Sequence, residues 1–155
     1  MKKIFTLLIL FSLYSCQDMD SNLTVLDNSD SEEITFIIEL NTKENSKEEI
    51  EDFTQYLSDF IVQREPSTVY GYYMSEDGKK VTLIERYKNE DAILNHIKNI
   101  SEGGLMEKDF GKFVDHFIID SIGYYGDLTK DFKETLSAFG LTVNYNPNIA
   151  GFSRN

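Results

Sequence analysis

Residues 69–100, VYGYYMSEDGKKVTLIERYKNEDAILNHIKNI, decide the fold. Val69 to Met74 is β-branched and aromatic, which suits a strand. Glu76-Asp77-Gly78-Lys79 is a tight turn, because Asp-Gly is a favoured hairpin dipeptide. Lys80 to Tyr87 then alternates as a second strand. Val81, Leu83, Glu85 and Tyr87 share one face, and Thr82, Ile84 and Arg86 the other. Asn89 caps a helix whose first turn holds Glu90 and Asp91, where the helix dipole favours negative charge. Ala92, Ile93, His96, Ile97 and Ile100 form the helix's apolar face, and Gly103-Gly104 stops it. Hairpin followed by helix is the middle of an α+β domain.

Working outward on the N-terminal side, Ile34 to Leu40 reads as another strand. Ser46 opens a helix, and Glu49 three residues later completes a capping box. Ile50, Phe53, Leu57, Phe60 and Ile61 fall on one helical face, and Pro66 ends the helix near Arg64. On the C-terminal side, 105–114 reads as a short helix and His116 to Tyr125 as a fourth strand. Leu128, Phe132 and Leu136 mark a further helix closed by Gly140, and Leu141 to Tyr145 an edge strand. The order β-α-β-β-α-β plus a helical appendix is the ferredoxin-like arrangement, an antiparallel sheet with helices on one face. The bare sheet face needs a cover, and a second copy of the same sheet supplies one, so a homodimer is expected.

The chain begins differently. Lys2 and Lys3 precede the apolar run Ile4 to Leu13, which is too short to span a bilayer core of ~30 Å. The run ends Leu13-Tyr14-Ser15-Cys16, which resembles a bacterial lipobox. That resemblance implies cleavage before Cys16, the only cysteine, and lipidation of its thiol. Gln17 rather than Asp follows, so the expected location is the cell envelope, with the outer membrane as the default. Residues 1–15 are then signal peptide, 16–33 an acidic tether, 34–125 the folded domain, and 126–155 a C-terminal helix and tail. Without Lys2 and Lys3 the remaining chain holds 13 basic against 27 acidic residues, a formal charge of −14. This excess argues against nucleic-acid partners.

Segment 64–100 resembles the antibiotic-biosynthesis-monooxygenase-like family of the dimeric α+β barrel superfamily. Glu65-Pro66 matches the pair before strand two, Glu85-Arg86-Tyr87 the close of strand three, and Ala92 with His96 the following helix. The likeness covers about 80 residues. It implies a dimeric α+β barrel and a cofactor-free monooxygenase acting on a small aromatic or quinol. The alternative is a hydrophobic-ligand-binding or structural lipoprotein. The haem-degrading and polyketide-oxidising branches use a Trp that this chain lacks, and the haem branch also has an Asn early in strand one. No cofactor is therefore expected.

His96 is the candidate general base, since imidazole titrates near neutrality. Glu85 is the candidate that orients its ring, and Tyr70, Tyr72 and Tyr87 line a candidate aromatic-binding pocket. Arg64 and Arg86 are candidates to hold a substrate anion. His116, with Asp115 and Asp120 nearby, forms no metal-ligand spacing, and no HExxH pattern, phosphate loop or dinucleotide fingerprint occurs.

Overall fold

The computed structural model describes residues 32–140 and 142–150. The expected signal segment, Cys16 and nearly all of the expected tether lie outside the described residues. So do Leu141 and residues 151–155. No described helix is long and apolar enough to cross a membrane.

Strands β1 (Ile34–Asn41), β2 (Ser67–Met74), β3 (Lys80–Tyr87), β4 (Ile118–Tyr125) and β5 (Val143–Asn146) form one sheet in the order β2-β3-β1-β4-β5. The first four run antiparallel, as in a ferredoxin-like domain, and β5 joins β4 in parallel. The helices are α1 (Lys47–Ile61), α2 (Glu90–Ile100), α3 (Glu107–His116) and α4 (Lys130–Ala138). The parallel pairing of β5 follows from α4, which supplies the crossover that a parallel neighbour requires.

Local chemistry sets the helix ends. The Ser46 hydroxyl accepts from the Glu49 amide, and the Glu49 carboxylate accepts from the Ser46 amide, so the capping box is formed. Asn89 caps α2 through the Ala92 amide. Helix α2 ends at Ile100 with Ser101 extended behind it. The Gly103-Gly104 pair instead packs α3 onto the end of α2. A Cβ on Gly104 would lie 2.3 Å from the Asn99 carbonyl oxygen, so only glycine fits there.

His116 closes α3 and is not in β4, which begins two residues later. Its ring stacks on Phe53 with centroids 3.9 Å apart, and its Nδ1 donates to the Lys112 carbonyl. The Lys43 ammonium donates to the Val114 and Asp115 carbonyls at the same helix end. Those contacts hold the segment helical against its alternating pattern.

The alternation seen in the sequence sets the packing. Ile34, Phe36 and Leu40 of β1, Val81, Leu83, Glu85 and Tyr87 of β3, and Ile122 and Tyr124 of β4 point under the helices and are buried. Ile50, Phe53, Leu57 and Ile61 of α1 meet them, each contributing about 1.5–3 kcal/mol by leaving water. Two apolar clusters result. One gathers under α1 and α3, the other under α2 and α4.

The opposite sheet face stays open, with Val69, Tyr73 and Tyr125 between 38% and 58% exposed. The Tyr73 ring lies over Gly71 and the Tyr125 ring over Gly123, where an added Cβ would come within 2.8 Å of Tyr125.

Candidate functional site

A cavity of about 120 Å³ lies between the two apolar clusters. Its wall includes Phe36 and Ile38 of β1, Leu57 and Ile61 of α1, Ile93 and Ile97 of α2, and Phe113 of α3. A wholly apolar cavity of ~150 Å³ takes up benzene, so a space of this size fits a single ring. Polar groups enter the wall at Tyr70, Glu85, Tyr87, His96 and Asp109.

His96 reaches the cavity from the inner face of α2. Its Nδ1 pairs with Glu65 Oε2 at 2.8 Å, and the Glu65 side chain is fully buried. The Asn99 amide, one turn along α2, donates to Glu65 Oε1 at 2.9 Å. Glu65 sits in the α1–β2 loop. Its amide donates to the Ile61 carbonyl, and Pro66 holds it out of helical geometry. With a carboxylate as its partner, Nδ1 carries the hydrogen of the neutral ring, and in that form Nε2 presents a lone pair. Nε2 has no protein partner among the described residues. Glu65 thus fixes the tautomer and Asn99 fixes Glu65.

Glu85, the expected orienting group, does a different job. The Tyr87 hydroxyl donates to its Oε2 at 3.0 Å, and Glu85 acts on His96 through charge rather than a hydrogen bond. Burial pushes the Glu85 carboxyl above the ordinary carboxylate range, against smaller opposing effects of His96, Tyr87 and Tyr70. Burial alone would lower the His96 pKa. The Glu65 hydrogen bond and the charges of Glu85 and Glu65 outweigh it, so the net value is raised.

The tyrosines divide between wall and support. Tyr70 and Tyr87 line the cavity, while Tyr72 stands behind Tyr70 with the two hydroxyls 3.0 Å apart. Tyr72 stacks on Phe117. Burial raises all three phenols, which keeps them protonated and makes them donors rather than bases. Arg64 lies outside this cluster, its guanidinium 4.0 Å over the Phe60 ring. Arg86 is on the other sheet face, with its Nε donating to the Thr35 hydroxyl. His116 and Asp120 lie elsewhere, and no three metal-ligating side chains converge among the described residues.

Glu65 and Asn99 are the site residues that reasoning on the sequence did not assign. Asn99 follows His96 by three positions, so it shares the helix face. That spacing was the signal for Asn99, and the Glu65-Pro66 pair of the family resemblance was the signal for Glu65.

No protein-family model and no curated protein matches the sequence. Solved structures do match the fold. MupZ from Pseudomonas fluorescens aligns with a TM-score of 0.55 at 20% identity, over 79% of this chain and 94% of that chain. SnoaB, a cofactor-independent oxygenase from Streptomyces nogalater, aligns with a TM-score of 0.51 at 13% identity, over 64% of this chain and 96% of that one. A conserved protein from Bacteroides thetaiotaomicron, a possible oxidoreductase, aligns with a TM-score of 0.50 at 13% identity, over 61% and 96%. The expected ferredoxin-like α+β fold is borne out, and these solved structures share it.

Proposed function

We propose that the domain is a cofactor-free monooxygenase of a single-ring phenol or quinol. The observation that carries this reading is the buried Asn99–Glu65–His96 relay, with the Nε2 lone pair at the edge of an apolar one-ring cavity. Nε2 takes the proton of the ring hydroxyl, and the imidazolium so formed is stabilised by Glu65 and Glu85. The phenolate is electron-rich and gives its electrons to O2. Overall a phenol's ring C–H becomes the second C=O of a quinone, whereas a quinol's two hydroxyls become the C=O groups and one ring C–H becomes C–OH. In both cases one oxygen atom of O2 enters the ring product and the other leaves as water. The apolar part of the wall excludes bulk water, while the Tyr87 hydroxyl, whose hydrogen goes to Glu85, is left to accept from the substrate. The test is oxygen uptake by the full chain in detergent with a panel of phenols and quinols. Uptake that follows quinone absorbance supports the reading, and no uptake with any member of the panel overturns it.

The raised pKa of His96 favours a second reading, a ligand-binding lipoprotein without turnover. A protonated His96 donates to a ligand oxygen but removes no proton. In that case the ligand's spectrum shifts on binding while oxygen stays constant.

The proposal includes location and assembly. Cys16 carries the lipid, and residues 17–33 hold the domain off an envelope membrane, by default the outer one. Labelling of the full chain with a radioactive or alkyne fatty acid is expected to disappear in Cys16→Ser, and label that persists there contradicts the anchor. Two copies meet through the open sheet face, where Val69, Tyr73 and Tyr125 stand exposed. Sedimentation in detergent is expected to give twice the chain mass, reduced to one in Tyr73→Asp/Tyr125→Asp. A dimer unaffected by both changes places the contact elsewhere.

A further inference from the structure

We infer that Asp109 is a specificity-determining residue of the cavity, accepting a hydrogen bond from a second hydroxyl on the ligand and so selecting dihydroxylated rings over monophenols. The inference rests on the reading of the cavity as a site for a phenolic ring. Asp109 lies on α3, and its side chain is 12% exposed, yet it forms part of the cavity wall. Its Oδ1 is taken by the Tyr56 hydroxyl at 2.7 Å and the Lys112 ammonium at 3.4 Å. Its Oδ2 has no partner among the described residues and is not sealed off. A carboxylate oxygen in an apolar wall is an acceptor that wants a donor.

The kind of donor follows from the neighbours. Lys112 supplies the counter-charge to Asp109 and is itself held 5.0 Å over the Tyr56 ring. The locally balanced charge favours a neutral hydroxyl over an ammonium group. The α3 wall is also distinct from the α2 and β3 walls that bring His96 and Glu85. A ring with one hydroxyl at His96 and another at Asp109 satisfies both, and a monophenol satisfies one.

The test is titration calorimetry of the full chain in detergent, without oxygen, using hydroquinone and phenol as probes. The wild type is expected to bind hydroquinone about tenfold or more tighter than phenol, the size of one hydrogen bond to a charged group. Asp109→Leu should bring that ratio to about one with phenol affinity within about threefold of wild type. Asp109→Asn, whose single amide oxygen is claimed by Tyr56 and Lys112 and whose NH2 then stands in place of Oδ2, should lose most of the preference while keeping the side chain's size. Equal affinities in the wild type, a preference that survives Asp109→Leu, or no binding of either probe overturns the inference. Because the readout needs no oxygen, the two readings fail separately. Preferred binding of hydroquinone with no oxygen uptake removes the oxygenase and keeps Asp109's role. Oxygen uptake without preference does the reverse.

Discussion

His96→Ala is expected to lower oxygen uptake by about 10²- to 10⁴-fold, the range that a positioned general base contributes, while ligand affinity stays near wild type. The structure makes the expectation specific. Nδ1 is committed to Glu65, so Nε2 is the only ring nitrogen that can reach a substrate in the cavity. Glu65→Gln should fall in the same direction but less far. The glutamine amide can still hold the ring, yet it no longer fixes the tautomer or stabilises the imidazolium. The pH profile distinguishes a base from a packing residue. Because the His96 pKa is raised, the lone-pair form grows only above the usual imidazole value of about 6.5, and uptake should climb with pH there. In Glu65→Gln one raising influence is gone, so the rise should move to lower pH. A rate that is flat with pH, or one that survives His96→Ala, sinks the role assigned to His96.

Stability should run the other way. A group whose folded pKa is raised favours folding in its protonated form. Its stabilisation is therefore complete below the unfolded value of about 6.5 and is lost as pH climbs through the raised folded value. Glu85 has the same sign at lower pH, since burial raises its pKa too. The form of the site that can accept a proton is thus the form that stabilises the fold least.

Much of this was legible in the sequence where local rules govern. The Ser46–Glu49 capping box, the Asp77-Gly78 turn and the Val81–Tyr87 alternation each report contacts made within a few residues, and each is present as read. The site is legible only in part because its contacts are distant. Glu65 is a charged residue in a loop, which reads as solvated, and only the fold carries it to His96, 31 positions away. Asp109 sits in a stretch interrupted by Gly111 and rich in charge, so nothing in its periodicity separates a cavity-lining carboxylate from a surface one. Glu85 was placed on the correct face, but a face says which layer a side chain enters and not which partner it meets there. The direction of β5 was likewise out of reach, because a two-residue period is the same in parallel and antiparallel strands.

Phe36→Ala is expected to destabilise the domain by about 3–5 kcal/mol, a large share of the ~5–15 kcal/mol that holds a typical domain together. Phe36 is 6% exposed at the middle of β1. Its ring meets Tyr87 edge-on at 6.2 Å and Tyr124 edge-on at 5.4 Å. Removing it deletes both ring contacts and opens space directly into the cavity that it lines. The melting temperature should drop by roughly 10–25 °C. The same change bears on function. In the wild type the ring of Phe36 limits the cavity to one aromatic ring, so a fused two-ring phenol such as naphthol should bind poorly. In Phe36→Ala, naphthol should bind better than phenol and recover more of the lost melting temperature than phenol does, since a ligand stabilises only the state that binds it. A drop of a degree or two would mean that the core closes over the gap. A large drop with no recovery by naphthol would mean that the lost volume never joined the cavity, and Phe36 would then be a packing residue rather than the wall that sets ligand size.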